Sequence, residues 1–308
     1  MKSLLTSAGK VFGILLGCAV VAGAGLVMWA GDNVKKRHAR VFDVAPDALE
    51  AYAGQVDLAL GKRIVEVRSG CVECHGADLG GATVIDDSAM GRIDGPNITP
   101  HALGSWTDNE IGRAIRHGIG KDGHPLHLMP SRDFFGFSGG DLASVVAYLR
   151  TVTPVMKPAG TIALGPLGKV LIATGKIPEY FNAETLDHKA DFTVKPPEMA
   201  SVKFGRYLAQ SCTGCHGADF GGGPIPGGSP DWAPASDLTP RGIGAWSEAE
   251  FASTMKSGVN PQGMRLRVPF PVTLTSKMSE MEVSALYMFF KTLPVPSDEG
   301  LAAKALKP

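Results

Sequence analysis

An excess of charge of either sign is the first thing this chain lacks. Thirty lysines and arginines stand against 30 aspartates and glutamates in 308 residues, for a formal net charge of zero. No basic excess points to nucleic acid as a partner, and no acidic run marks a disordered tail. Strand patterns are weak throughout. The local signatures of stand-alone catalysis are missing too: there is no phosphate-binding glycine loop, no Ser-His-Asp spacing and no zinc-protease helix motif. No histidine follows His216.

Glycine and proline are plentiful, at 39 and 22 residues, so helices must be short and loops long. The length suits two domains plus ends, at roughly 100–200 residues per domain. The apolar fraction of 44% supports ordinary cores, yet a chain so rich in loops leans on something besides packing. Four of the five cysteines show what that is. They form Cys71-Val72-Glu73-Cys74-His75 and Cys212-Thr213-Gly214-Cys215-His216, two copies of the CxxCH signature for attachment of c-type haem. Thiols three positions apart share one side of a helical turn, where they can add to the two vinyl groups of one porphyrin edge. The histidine that follows lies under the iron as its proximal ligand. Two haems held this way complete cores that could not bury enough surface alone. Zinc binding and dithiol redox chemistry are the competing readings of CxxC pairs, but neither requires a histidine directly after both.

The two motifs belong to a duplication. Cys74-His75-Gly76-Ala77-Asp78-Leu79-Gly80-Gly81 matches Cys215-His216-Gly217-Ala218-Asp219-Phe220-Gly221-Gly222. Asn97-Ile98-Thr99-Pro100 matches Asp237-Leu238-Thr239-Pro240, and Gly104-Ser105-Trp106-Thr107 matches Gly244-Ala245-Trp246-Ser247. Each copy predicts a helix leading into the cysteines (60–68 and 202–210), a second helix (107–117 and 247–257, capped by Thr107 and Ser247) and a closing helix (138–149 and 279–291). Pro154 and Pro294 stop the closing helices. The proline-rich stretch between the copies reads as a linker with one short helix near 168–174.

Val11 to Ala30 is twenty residues without a charge, long enough to span a bilayer. The same stretch begins like a secretory signal, with Ala22-Gly23-Ala24 as a cleavage pattern, and Leu15-Leu16-Gly17-Cys18 resembles a lipobox. Length favours an uncleaved anchor. Lys35, Lys36, Arg37 and Arg40 then pull toward keeping that side cytoplasmic, whereas resemblance to c-type cytochromes implies haem attachment on the outer face of the bacterial membrane. The expected location is therefore the cytoplasmic membrane facing the periplasm, or the periplasm if the segment is cleaved.

A haem that only carries electrons has both axial positions filled, and methionine opposite histidine raises its potential. In the first copy Leu128-Met129-Pro130 resembles class I cytochrome c domains, which implies that Met129 supplies the sulfur; His124 and His127 are rivals. The second copy has Phe270-Pro271 near that slot. Met264 is the first choice there, with Met278, Met281 and His188 as alternatives. Trp106 and Trp246 are candidates to bond a haem propionate, and Pro100 and Pro240 to offer a carbonyl to the proximal histidine.

Residues 55–155 and 199–295 together resemble the cytochrome c subunits of membrane-bound alcohol, gluconate and aldehyde dehydrogenases. The likeness rests on the CxxCHG motifs, Asn97-Ile98-Thr99-Pro100 with Trp106, Gly118…Asp122-Gly123…Met129-Pro130, and Tyr148-Leu149-Arg150. Those subunits usually carry three haems; this chain has two motifs.

The expectation is an all-α chain: a signal or membrane anchor (1–31), a first cytochrome c-like domain (55–155), a linker (156–198) and a second such domain (199–295). Two haem c groups bind Cys71, Cys74, His75, Cys212, Cys215 and His216, with iron held by His75 and Met129 and by His216 and Met264. The expected function is electron transfer to or from a dehydrogenase, an oxidase or another cytochrome. A peroxidase-like or sulfur-oxidising haem enzyme, working at an open second iron, is the alternative.

Overall fold

The computed structural model describes residues 2–190, 194–229 and 231–295, with side chains described from residue 11 on. Residues 191–193 of the expected linker lie outside them.

Helix α1 (Lys2–His38) runs 37 residues, about 55 Å at 1.5 Å per residue. It is long and apolar enough to cross a bilayer, and its side chains from Val11 to Leu26 are exposed. Its last turns join the rest of the protein. Val34 is buried in a small cluster with Ile93, Ile172, Tyr180 and Phe181. Arg37 donates to Glu184 at 2.7 Å and to the Ile172 carbonyl at 2.8 Å, and Arg40 reaches the same Glu184 at 3.3 Å. Lys36 pairs with Asp32. Three of the four basic residues that pull against an outward orientation are thus taken up by acidic partners.

The first copy builds α2 (Leu58–Arg63), a π-helical turn (Ile64–Arg68) and α3 (Cys71–His75). A hairpin of β1 (Ala82–Asp87) and β2 (Gly91–Gly95) follows, then α4 (Pro100–Leu103), α5 (Asp108–His117), α6 (Ser131–Phe134) and α7 (Gly139–Thr151). Between the copies lie β3 (Ile162–Leu164) and α8 (Pro166–Ala173). The second copy repeats the helices as α9 (Val202–Leu208), α10 (Thr213–His216), α11 (Pro240–Ile243), α12 (Glu248–Ser257), α13 (Val272–Thr275) and α14 (Glu280–Phe290). Thr107 and Ser247 cap α5 and α12 in matching capping boxes with Glu110 and Glu250, each satisfying two backbone donors that the helix start would leave unpaired.

The chain is predominantly helical, with one small sheet among the described residues that the sequence pattern concealed. Its antiparallel order is β1-β2-β3, with Ile85 opposite Ile93 and Ile93 opposite Ile162. Much of its side-chain pairing is polar: Arg92 bridges Asp86 and Asp94. Apolar alternation is therefore faint. The stretch expected to be a linker is consequently a packed layer, carrying β3 and α8 against β2 and the end of α1.

Each copy has its own core, around Leu142 and Val146 in the first and around Leu286 and Phe290 in the second. Close crossing of the entering and closing helices requires glycine at one point in each. A Cβ on Gly61 would stand 2.1 Å from the Ser144 carbonyl, and one on Gly205 would stand 1.9 Å from the Ala285 carbonyl.

The two copies dock through matched elements. Glu282 on α14 is fully buried between Arg63 and Arg68 of the first copy. Its counterpart Asp141 on α7 accepts from the Tyr207 hydroxyl of the second copy at 2.7 Å and from Lys195 at 2.9 Å. Burial works against the charge on Glu282, but hydrogen bonds from Arg63, the Ser279 N–H and Arg68 overcome it and hold the carboxyl down to about 2.

Candidate functional site

Both cysteine-histidine turns are short helices ending on glycine, and both face a structural partner from the other copy. Helix α6 lies on the second turn: the Thr213 hydroxyl is 3.0 Å from Asp133. Helix α13 lies on the first: the Thr273 hydroxyl is 3.4 Å from Glu73, and Leu274 packs over Gly70.

The four thiols of the turns are not in disulfides. Burial, with Cys74 close by, pushes the Cys71 thiol up to about 12. Burial, with Asp133 and Cys215 close by, does the same to Cys212. Cys74 and Cys215 are raised as well, chiefly by burial. A reactive dithiol needs the opposite shift. Among the described residues no group of three or more His, Cys, Asp or Glu side chains is arranged to hold a bare metal ion. Neutral thiols suit thioether attachment instead, and Cys71 and Cys74 line an apolar cavity that could take the porphyrin.

That cavity sits in the first copy. It measures about 430 Å³ and is lined by Cys71, Cys74, His75, Trp106 and Met129 among mostly apolar side chains, within the roughly 300–1,000 Å³ of ligand clefts. His75 is buried, and its Nδ1 lies 2.7 Å from the Pro96 carbonyl. The matching His216 Nδ1 lies 2.7 Å from the Ser236 carbonyl. Each Nδ1–H is thereby occupied, which leaves Nε2 with a free lone pair, the tautomer a metal ligand needs. Burial lowers both imidazole pKa values and keeps the rings neutral, against the pull of the carbonyls. The orienting carbonyls are those of Pro96 and Ser236, not of Pro100 and Pro240. The latter open α4 and α11, where a ring without an N–H costs no hydrogen bond. The residues present fit a covalently held haem.

The axial loops of the two copies can be matched through their backbone bonds. Leu126 N–H to Gly118 O corresponds to Leu266 N–H to Gly258 O, and Ser131 N–H to Met129 O corresponds to Val272 N–H to Phe270 O. Phe270 therefore holds the position of Met129, with one extra residue in the preceding loop. Met264 corresponds to His124, since each carbonyl accepts from the matching turn residue, Asn260 or Gly120. Met264 is 61% exposed. Met278 and Met255, the latter without a signal in the sequence, pack against the second core. They stand where Phe137 and Ile115 form walls of the first cavity. Met281 also packs there.

The rival histidines lie around the first copy. His127 lines the cavity, bonds Tyr180 at 2.9 Å and stacks near His38, with ring centres 4.4 Å apart. His124 lies 3.2 Å from the Arg40 carbonyl. His188 does not approach the second turn: its Nδ1 is 3.0 Å from His117 Nδ1 and its Nε2 is 2.9 Å from the Ala183 carbonyl, both on the first copy's side of the molecule. Trp106 lines the first cavity, and Trp246 packs on the second core.

Comparison with known proteins agrees with this geometry. Residues 57–149 match the family described as cytochrome c oxidase, cbb3-type, subunit III, and residues 202–294 match cytochrome c. A nicotinate dehydrogenase subunit from Pseudomonas putida is 29% identical over 270 residues, covering 80% of this chain and 21% of that protein. The cytochrome c subunit of alcohol dehydrogenase (quinone) from Gluconacetobacter polyoxogenes is 30% identical over 271 residues, 75% of this chain and 55% of that one. The fructose dehydrogenase cytochrome subunit of Gluconobacter japonicus is 26% identical over 268 residues, 76% and 52%. The chain thus spans about half the length of the dehydrogenase cytochrome subunits it matches and a smaller share of the nicotinate enzyme's subunit. It is a di-haem-type cytochrome c domain protein related to the cytochrome c subunits of quinone dehydrogenases.

Proposed function

We propose that this chain carries electrons one at a time between a membrane dehydrogenase, or another respiratory donor, and an acceptor at the outer face of the bacterial cytoplasmic membrane. Domains at residues 55–155 and 199–295 would each hold one haem c, through Cys71, Cys74 and His75 and through Cys212, Cys215 and His216. The bound groups supply a one-electron iron couple; the chain's residues supply everything else. His75 and His216, fixed by the Pro96 and Ser236 carbonyls, would present Nε2 to an iron. Met129 lines the same apolar cavity as His75 and would supply the sulfur that raises the first potential. Helix α1 keeps the assembly at the membrane, tied through Arg37 and Glu184 to the packed stretch between the two domains.

The observation that carries this reading is the docking of the copies. Each attachment turn touches a helix of the other domain, and Glu282 with Arg63 and Arg68 locks the pair, so the two redox sites keep a fixed separation. No separate catalytic group is needed. The test is rapid mixing of the purified holoprotein with a one-electron reductant. Both haems should reduce, the second through the first or the reverse, and both should reoxidise with an acceptor cytochrome. Two haems that never exchange electrons within one molecule would refute the proposal.

Phe270 favours a second reading for the second domain. With phenylalanine at the axial-loop position and Met264 turned to solvent, the His216 side would offer an open iron position, and a peroxidase-like or sulfur-oxidising activity would work there. Turnover of peroxide or a reduced sulfur compound, abolished by His216→Ala, would establish that activity.

A further inference from the structure

Among the described residues, Asp133 is the one carboxylate that leaves its own domain to sit on the other domain's attachment turn. It lies on α6, shortly after Met129-Pro130, and its Oδ1 is 3.0 Å from the Thr213 hydroxyl. The same hydroxyl is 2.9 Å from the Gln210 carbonyl. It has one proton for two acceptors. A Cβ on Gly214 would come within 2.7 Å of Asp133 Oδ2, so this turn keeps glycine where the first has Glu73. Burial pushes the carboxyl up to about 7; Glu179 adds to the rise, and Thr213, Arg132 and the Gly214 N–H oppose it. The charged groups facing it are few. Arg132, on the same helix, is paired with Glu179 of the 178–184 turn at 3.0 Å. The thiols of Cys212 and Cys215 on the second turn cease to titrate once they become thioethers.

We propose that Asp133 sets the potential of the second redox site from across the domain boundary, taking up a proton when an electron arrives there and releasing it when the electron leaves. The proposal rests on the electron-carrier reading. The step balances: one electron from the donor lowers the iron held by His216 from ferric to ferrous, and one proton from solvent turns the Asp133 carboxylate into a carboxylic acid. The net charge of the site is unchanged, so the added electron meets no uncompensated negative charge. The hydrogen bonds accommodate both states. Ionised Asp133 accepts the Thr213 proton. Neutral Asp133 donates to Thr213 Oγ, which frees the Thr213 proton for the Gln210 carbonyl, and every donor and acceptor is then satisfied. The first site lacks this device, because Leu274 takes the matching place and Glu73 is exposed.

A mediated redox titration of the holoprotein between about pH 5.5 and 8.5 tests this. One of the two potentials should fall with rising pH around neutrality, the slope approaching tenfold in the one-electron equilibrium per pH unit, about 59 mV. Asp133→Asn should flatten that potential and leave the other unchanged, and Asp133→Glu should restore the slope. Redox-difference infrared spectra at neutral pH should show a protonated carboxyl band on reduction that is missing in Asp133→Asn. A slope that survives in Asp133→Asn, or two pH-independent potentials in the native protein, overturns the proposal while leaving the carrier reading intact. A protein without iron overturns both.

Discussion

In the first domain His75 is buried, Met129 lines an apolar cavity, and the end of α1, the sheet and α8 pack around the site. In the second domain His216 is partly exposed, Phe270 stands at the Met129 position, and among the described residues the stretch matching the β1–β2 hairpin contributes an isolated bridge, Gly223 to Ala235. A duplicated sequence has kept its CxxCH turns and its caps in both halves, while the loop that carries Met129 in one carries Phe270 in the other. The attachment motifs are local and repeated; the residues that differ around them come from loops and from the other domain.

The largest break in this comparison comes from removing the attachment residues of one half at a time. Cys71→Ala with Cys74→Ala should leave the cavity of about 430 Å³ empty. The first core then lacks the group that would complete it, and the loss should be comparable with the whole stability of a domain, roughly 5–15 kcal/mol. The first domain should lose its cooperative transition in calorimetry, and the chain should carry one haem. Cys212→Ala with Cys215→Ala should likewise leave one haem, with the first domain's transition retained.

Glu282→Gln should come next. It strips a buried carboxylate from Arg63 and Arg68 and should cost about 3–5 kcal/mol in denaturant unfolding. The native protein should show the same dependence on pH. The folded carboxyl sits near 2 and its ordinary value is 4.5, so the contribution is complete above about 4.5 and is lost as pH falls toward 2. Domain docking that is indifferent to acid in this window would contradict the lock.

Met129→Ala should lower the first potential by more than about 100 mV, within the roughly 0.8 V that axial ligands span, and should abolish the far-red sulfur–iron band. Met264→Ala should leave spectrum and potentials unchanged. Carbon monoxide should bind the reduced second haem in the native protein, and Phe270→Met should suppress that binding. Two fully saturated haems in the native protein would remove the contrast. The smallest effect should be a symmetric one: Thr107→Ala and Ser247→Ala each cost about 1 kcal/mol by uncapping matched helices.

Features governed by short-range chemistry are legible in the sequence. CxxCH, the caps Thr107 and Ser247, and the helices around Leu142 and Leu286 depend on neighbours within a few residues. The orienting groups are hidden because backbone carbonyls, here those of Pro96 and Ser236, carry no residue signature. Asp133, Glu282 and Arg63 are hidden because their partners lie in the other domain. The match of Phe270 to the Met129 slot is legible by counting back from the closing helix, but the extra residue before Phe270 blurs the register, and a sulfur on the same loop makes Met264 attractive. Met255 gives no sign of its place because its helix position, matching Ile115, does not tell which wall it forms. The sheet escapes notice because Arg92 and its aspartates break the apolar alternation.

The most direct measurement is the intact mass of the denatured mature polypeptide together with its iron content. Two porphyrins that survive denaturation, and two irons per chain, are the predicted result. A bare polypeptide mass, a gain of a single porphyrin, or zinc in place of iron would contradict the account.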